Sequence, residues 1–128
     1  MVGLVLVSHS AGLAAEAAAL ARGIAGADAP VAAAGGTEDG GLGTSLELLE
    51  SAVREADQGA GVVLIADLGS SVLTAKTYLE DREDGSEVVL ADAPFVEGAV
   101  AAASAAASGA SVTAVTDAAG EAYAFRKT

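Results

Sequence analysis

The feature that most constrains this chain is its alternation of short apolar runs with longer Ala- and Leu-rich runs, joined at glycines. Five segments read as strands: Val2–Val7, Val31–Ala34, Val62–Ala66, Glu87–Ala91 and Ser111–Val115. Between them, helices are predicted over Ala11–Arg22, from Thr44 or Ser45 onward, over Val72–Glu80, and from Asp92-Ala93-Pro94 to Ser108. Strands that alternate with helices in this way imply a mostly parallel sheet with helices on both faces. The expected fold is therefore α/β: one three-layer domain over residues 1–128, built on a mostly parallel five-stranded sheet. No linker, second domain or fixed-period repeat interrupts the pattern.

Local signals support the boundaries. Ser10 is a natural N-cap for the first helix, and Glu47 supports a cap at the start of the second. Leu46, Leu49 and Val53 give that second helix a periodic apolar face. Gly23, Gly26, Asp28 and Pro30 mark a turn, and the 35–43 loop carries five glycines. Pro94 suits the first turn of the fourth helix.

Composition narrows the chemistry. There is no cysteine and a single histidine, so disulfides, thiolate metal sites, cysteine nucleophiles and His-rich zinc sites are excluded, and no metal is expected. The formal net charge is −12 with only six Lys and Arg, which argues against nucleic-acid binding and favours either basic protein partners or simple solubility. Hydrophobic residues make up 52% of the chain but aromatics only 3%, so the core is one of small side chains. No basic segment precedes the first strand and no run is long enough to span a bilayer, so a cytoplasmic protein is expected.

In an open α/β sheet, chemistry collects at the carboxyl ends of the strands. Three loops are expected there. One carries His9, the second Gly35, Gly36, Thr37, Gly43 and Thr44, and the third Asp67, Gly69, Ser70 and Ser71. A neutral imidazole beside a helix start suits a nucleophile that carries a phosphoryl group. It needs a carboxylate on its other nitrogen to fix the tautomer, and Asp67 is the best candidate. Ser70 and Ser71 can donate to phosphoryl oxygens, and the Gly-rich loop can bring bare amides to a ligand. The structural alternatives are a histidine that merely ends a strand, an aspartate that caps a turn and serines that cap a helix. The chain has no Walker A loop, no G-x-G-x-x-G after its first strand and no G-x-S-x-G elbow. No Lys or Arg lies in the three loops, which suits a relay better than a pocket that grips phosphate.

Taken together, the segments resemble the phosphotransferase subunit of PTS-dependent dihydroxyacetone kinase, a member of the mannose-type IIA fold group. The resemblance runs through Val2–Ser10, Ala33-Ala34-Gly35, Gly43-Thr44, Asp67-Leu68-Gly69-Ser70-Ser71 and Ala93-Pro94-Phe95-Val96-Glu97-Gly98. It implies a phosphoryl relay that accepts phosphate from the phosphocarrier HPr on His9. The relay then passes it to ADP held on a nucleotide-binding kinase subunit, for use by a dihydroxyacetone-binding subunit. It also implies that Asp67 orients His9, with Ser10, Gly36, Thr37, Thr44, Gly69, Ser70 and Ser71 around the phosphoryl group. No cofactor is expected on this chain, HPr is expected as a separate protein, and a homodimer is implied. Two alternatives stand beside this reading: a mannose-type sugar IIA subunit that serves a IIB domain, and a non-catalytic flavodoxin-like interaction module with a structural His9.

Overall fold

A computed structural model describes residues 1–83 and 85–128. Its elements run β1 (Gly3–Ser8), α1 (Ala11–Ala25), β2 (Val31–Gly35), α2 (Leu46–Ala56), β3 (Val62–Ala66), α3 (Gly69–Asp81), β4 (Val88–Leu90), α4 (Phe95–Ala107) and α5 (Val112–Glu121). A short 3₁₀ turn, Ala122–Ala124, follows. Asp84, in the polar run expected after the third helix, lies outside the described residues.

The strands form one parallel sheet in the order β2-β1-β3-β4. Period-two alternation sends the two faces of β1 and β3 into separate cores. Leu4, Leu6, Val63 and Ile65 pack with α1, α4 and α5. Val5, Val7, Val62 and Leu64 pack with α2 and α3. Gly3–Val7 of β1 and all of β3 are apolar because both faces of these strands are covered. Small side chains bring the helices close: α1 buries Ala14, Ala17, Ala18 and Ala21, and α4 buries Ala99, Ala102, Ala103 and Ala106.

The three-layer α/β expectation holds, with four strands instead of five. The segment Ser111–Val115, expected as a fifth strand, opens helix α5. Its Val-Thr content suits a strand, but Val112, Val115 and Ala119 fall three and four residues apart and are all buried. Ser111 caps the helix by accepting from the Ala114 N–H at 3.2 Å. Burial of that stripe against α4 overrides β-propensity. Helix α3 begins at Gly69, three residues before the expected Val72, so Ser70 and Ser71 stand in its first turn. Pro94 directly precedes α4 as its N-cap.

The sheet order places the site. From β1 the chain crosses to β2 on one side and returns to β3 on the other, so the crevice opens at the carboxyl ends of β1 and β3. His9 and Asp67 are the first residues beyond β1 and β3, respectively.

Candidate functional site

Asp67 continues β3, and its N–H bonds the Val7 carbonyl at 3.0 Å, extending the ladder by one step. Its carboxylate is surrounded by donors. Oδ1 accepts from the Leu68 N–H at 2.7 Å and the Ser71 hydroxyl at 2.6 Å. Oδ2 accepts from the Ser8 hydroxyl at 2.8 Å and the His9 N–H at 3.2 Å. His9 Nδ1 stands 3.1 Å from Oδ1. Burial by itself pushes the Asp67 carboxyl up, but the hydroxyls of Ser71 and Ser8 and the N–H groups of Leu68 and His9 outweigh it and hold its pKa at about 2. Asp67 is thus an ionised acceptor at neutral pH, and an imidazole that faces it with Nδ1 carries its proton on Nδ1.

That leaves Nε2 with the lone pair. The His9 side chain is 23% exposed and that of Asp67 9%, so the ring lies between a half-buried anion and solvent. Nε2 meets the Ser70 hydroxyl on the exposed side. Ser70 belongs to the first turn of α3, whose N-cap, Leu68, offers no side-chain acceptor. No side chain caps the first N–H groups of that helix, the arrangement that receives anions. At α1 the situation differs: Ser10 accepts from the Leu13 N–H at 3.2 Å and caps its own helix.

The structure gathers His9, Asp67, Ser70 and Ser71 into one cluster, with Gly69 at the exposed start of α3. Gly36 and Thr37 stand apart from the ring in their hydrogen bonding. The Gly36 N–H is taken by the Ser8 carbonyl at 3.1 Å. Gly36 holds a φ of 75°, and a Cβ there would lie 2.8 Å from the Gly41 carbonyl oxygen, so glycine is required for the turn. The Thr37 hydroxyl binds Asp39 and the Gly41 N–H. Thr44 pairs with the Thr74 hydroxyl at 2.6 Å, and Thr74 in turn bonds the Ser70 carbonyl at 3.1 Å. Thr44 thus braces the backbone under Ser70. Gly43 ties the loop to the site through an N–H to the His9 carbonyl at 2.9 Å.

Sequence reading missed Ser8. Its place follows from the strand register and not from the sequence: the β1–β3 pairing ends at Val7 opposite Ala66, and one further step sets Ser8 opposite Asp67. Among the described residues, no group of three or more His, Cys, Asp and Glu is placed to hold a metal ion. No helix among them is long and apolar enough to cross a membrane.

A protein-family model described as the PTS system fructose IIA component, EIIA-man, matches residues 3–116. The chain belongs to this family. Two similar proteins come from Listeria innocua. The chain is 37% identical over 99 residues to "PEP-dependent dihydroxyacetone kinase 1, phosphoryl donor subunit DhaM", a match covering 77% of each chain. It is 33% identical over 105 residues to the corresponding subunit of kinase 2, covering 80% of this chain and 84% of that one. The DhaM subunit of Escherichia coli is 38% identical over 117 residues, where 88% of this chain spans 25% of a longer protein. A crystal structure described as that of an unknown-function protein, EF1359, matches with a TM-score of 0.79 and 30% identity over 92% of each chain. The EIIA-man match takes in β1, β3 and the loops that follow them, so the whole His9–Asp67 cluster lies inside the family domain.

Proposed function

We propose that this chain is a phosphoryl relay of a PEP-dependent dihydroxyacetone kinase. It accepts phosphate from phospho-HPr on His9 and passes it to ADP bound on the nucleotide-binding kinase subunit. One observation carries the reading: the single imidazole has Nδ1 on the ionised Asp67 and Nε2 on the open first turn of α3. The printed role of the Listeria relatives, phosphoryl donor subunits of such kinases, supports the same assignment.

In this reading the Nε2 lone pair attacks phosphorus and forms the P–N bond as the bond to the donor breaks. The Nδ1 proton stays on the ring, donated to Asp67, which stabilises the positive charge that develops on the imidazole. The Ser70 hydroxyl turns from Nε2 to a phosphoryl oxygen, and the free N–H groups of α3 take the others. The absence of Lys and Arg from the three loops keeps the phosphoryl group weakly held, as onward transfer demands. The second transfer reverses these steps with ADP oxygen as nucleophile. The proposal further places the protein in the cytoplasm as a homodimer, with no cofactor on this chain and the nucleotide on its partner.

Incubation with phosphoenolpyruvate, enzyme I and HPr, read by intact mass, tests the relay. The expected result is one acid-labile phosphate on the wild type and none on His9→Ala. A phosphorylated His9→Ala protein overturns the assignment. The family's description as a fructose IIA component favours one second reading, a sugar IIA subunit serving a IIB domain. Transfer from the phosphorylated protein to purified kinase subunit or to IIB separates the two.

A further inference from the structure

Among the described residues only two polar side chains are buried, Ser8 and Ser71. Both donate to Asp67, one to each carboxylate oxygen. They are not equivalent. Ser71 shares Oδ1 with the imidazole and itself lies 3.0 Å from Nδ1, so it touches the ring directly. Ser8 bonds neither ring nitrogen through its side chain; its hydroxyl reaches the ring only through Asp67.

The Ser8 hydroxyl has a fixed direction. A hydroxyl donates one proton and accepts two. The Ser10 N–H occupies an acceptor position at 3.0 Å, which leaves the Ser8 proton for Asp67 Oδ2 at 2.8 Å. Ser10 is the N-cap of α1, so a helix start sets the orientation of the hydroxyl. The Ser8 backbone is fixed as well, because its carbonyl accepts from Gly36. A carboxylate turns readily about its last torsion, which is broad and two-fold. Ser8 holds Oδ2 more closely than the His9 N–H does, at 2.8 Å against 3.2 Å. Together with the Leu68 and Ser71 donors on Oδ1, it sets the carboxylate plane in which Oδ1 faces Nδ1.

We propose that Ser8 is a positioning residue of the phosphoryl-transfer site: by holding Asp67 Oδ2 it aims Oδ1 at His9 Nδ1 and selects the imidazole tautomer that leaves Nε2 free to attack. The role rests on the proposed relay, but the tautomer reports it whether or not phosphate is transferred. Because His9 is the only histidine, a ¹⁵N spectrum of labelled protein contains a single imidazole.

The experiment compares wild type, Ser8→Ala and Ser8→Thr. The wild type is expected to hold its proton on Nδ1. Ser8→Ala shifts the population several-fold toward the Nε2–H tautomer. It also slows phosphorylation at saturating phospho-HPr by about tenfold, the order of one lost hydrogen bond to a charged group, while half-saturation is unchanged. Ser8→Thr restores both. A Ser8→Ala protein with the wild-type ring spectrum overturns the proposal, even where its thermal stability falls, because a merely structural serine would give that result. Should Ser8→Ala fail to fold, Ser8→Cys, which keeps the volume and weakens the donor, gives the same readings. A wild type that takes no phosphate sinks the relay and leaves the tautomer shift to decide Ser8.

Discussion

At Asp67 two opposing effects meet, and the hydrogen bonds win. Its pKa of about 2 lies below the usual value near 3.8, so folding favours the ionised carboxylate. The resulting stability is fully present above about pH 4 and is lost as pH falls through about 2; it amounts to on the order of 2 kcal/mol. Asp67→Asn keeps the shape but turns an amide toward groups that themselves donate. It is expected to slow phosphorylation by about a hundredfold or more. It should also flatten the fall in unfolding free energy between about pH 4 and pH 2. Rapid-quench transfer kinetics and urea unfolding across that range check both. An unchanged transfer rate would reduce Asp67 to the cap of the turn it makes with the Leu68 N–H. His9 and Asp67 were legible in the sequence because each ends an apolar run, and strand ends on one edge converge. Ser8 was not, since its importance lies in a register one step beyond the paired residues, which a single strand does not reveal.

Among the elements, β1 and β3 were plain because their unbroken apolar runs have no other use than burial on two faces. The α5 segment was misread because Ser111–Val115 satisfies both periods over five residues; only Ala119, beyond that window, completes the helical stripe. The early start of α3 was hidden by Gly69, a poor helix former that here begins a helix without a side-chain cap. The contact of β2 with α1 bears on the site, because α1 starts directly after His9 and Ser10. A Cβ on Gly35 would lie 2.4 Å from the Ser10 carbonyl oxygen and 2.8 Å from the Ala11 Cα. Gly35→Ala is expected to cost about 1–3 kcal/mol by overpacking, and to push the start of α1 away from β2. Urea denaturation gives the first quantity. A transfer rate that falls along with stability confirms that the displacement reaches His9, and an unaltered protein on both counts would show that α1 shifts freely.

For the whole molecule, the net charge of −12 sets the long-range behaviour. Encounter with a partner of basic surface should be steered, and steering is screened over about 10 Å at 0.1 M salt. Stopped-flow association with phospho-HPr is expected to slow about tenfold between about 0.05 and 0.5 M salt, with little change in dissociation. A salt-independent on-rate would show that HPr does not meet the acidic surface.

The wall between α1 and α4 has a consequence of its own. Its buried alanines are Ala17, Ala18 and Ala21 of α1 and Ala99, Ala102, Ala103 and Ala106 of α4, which share one apolar core and each carry a single methyl. Such a seam has almost nothing to lose by truncation, and every substitution other than glycine adds atoms where little space is left. Damage here comes from wedging the layers apart, and a hollow is hard to make. Substitutions along this seam are therefore expected to be tolerated only at the smallest side-chain sizes, whereas the outer helix faces have room for larger ones.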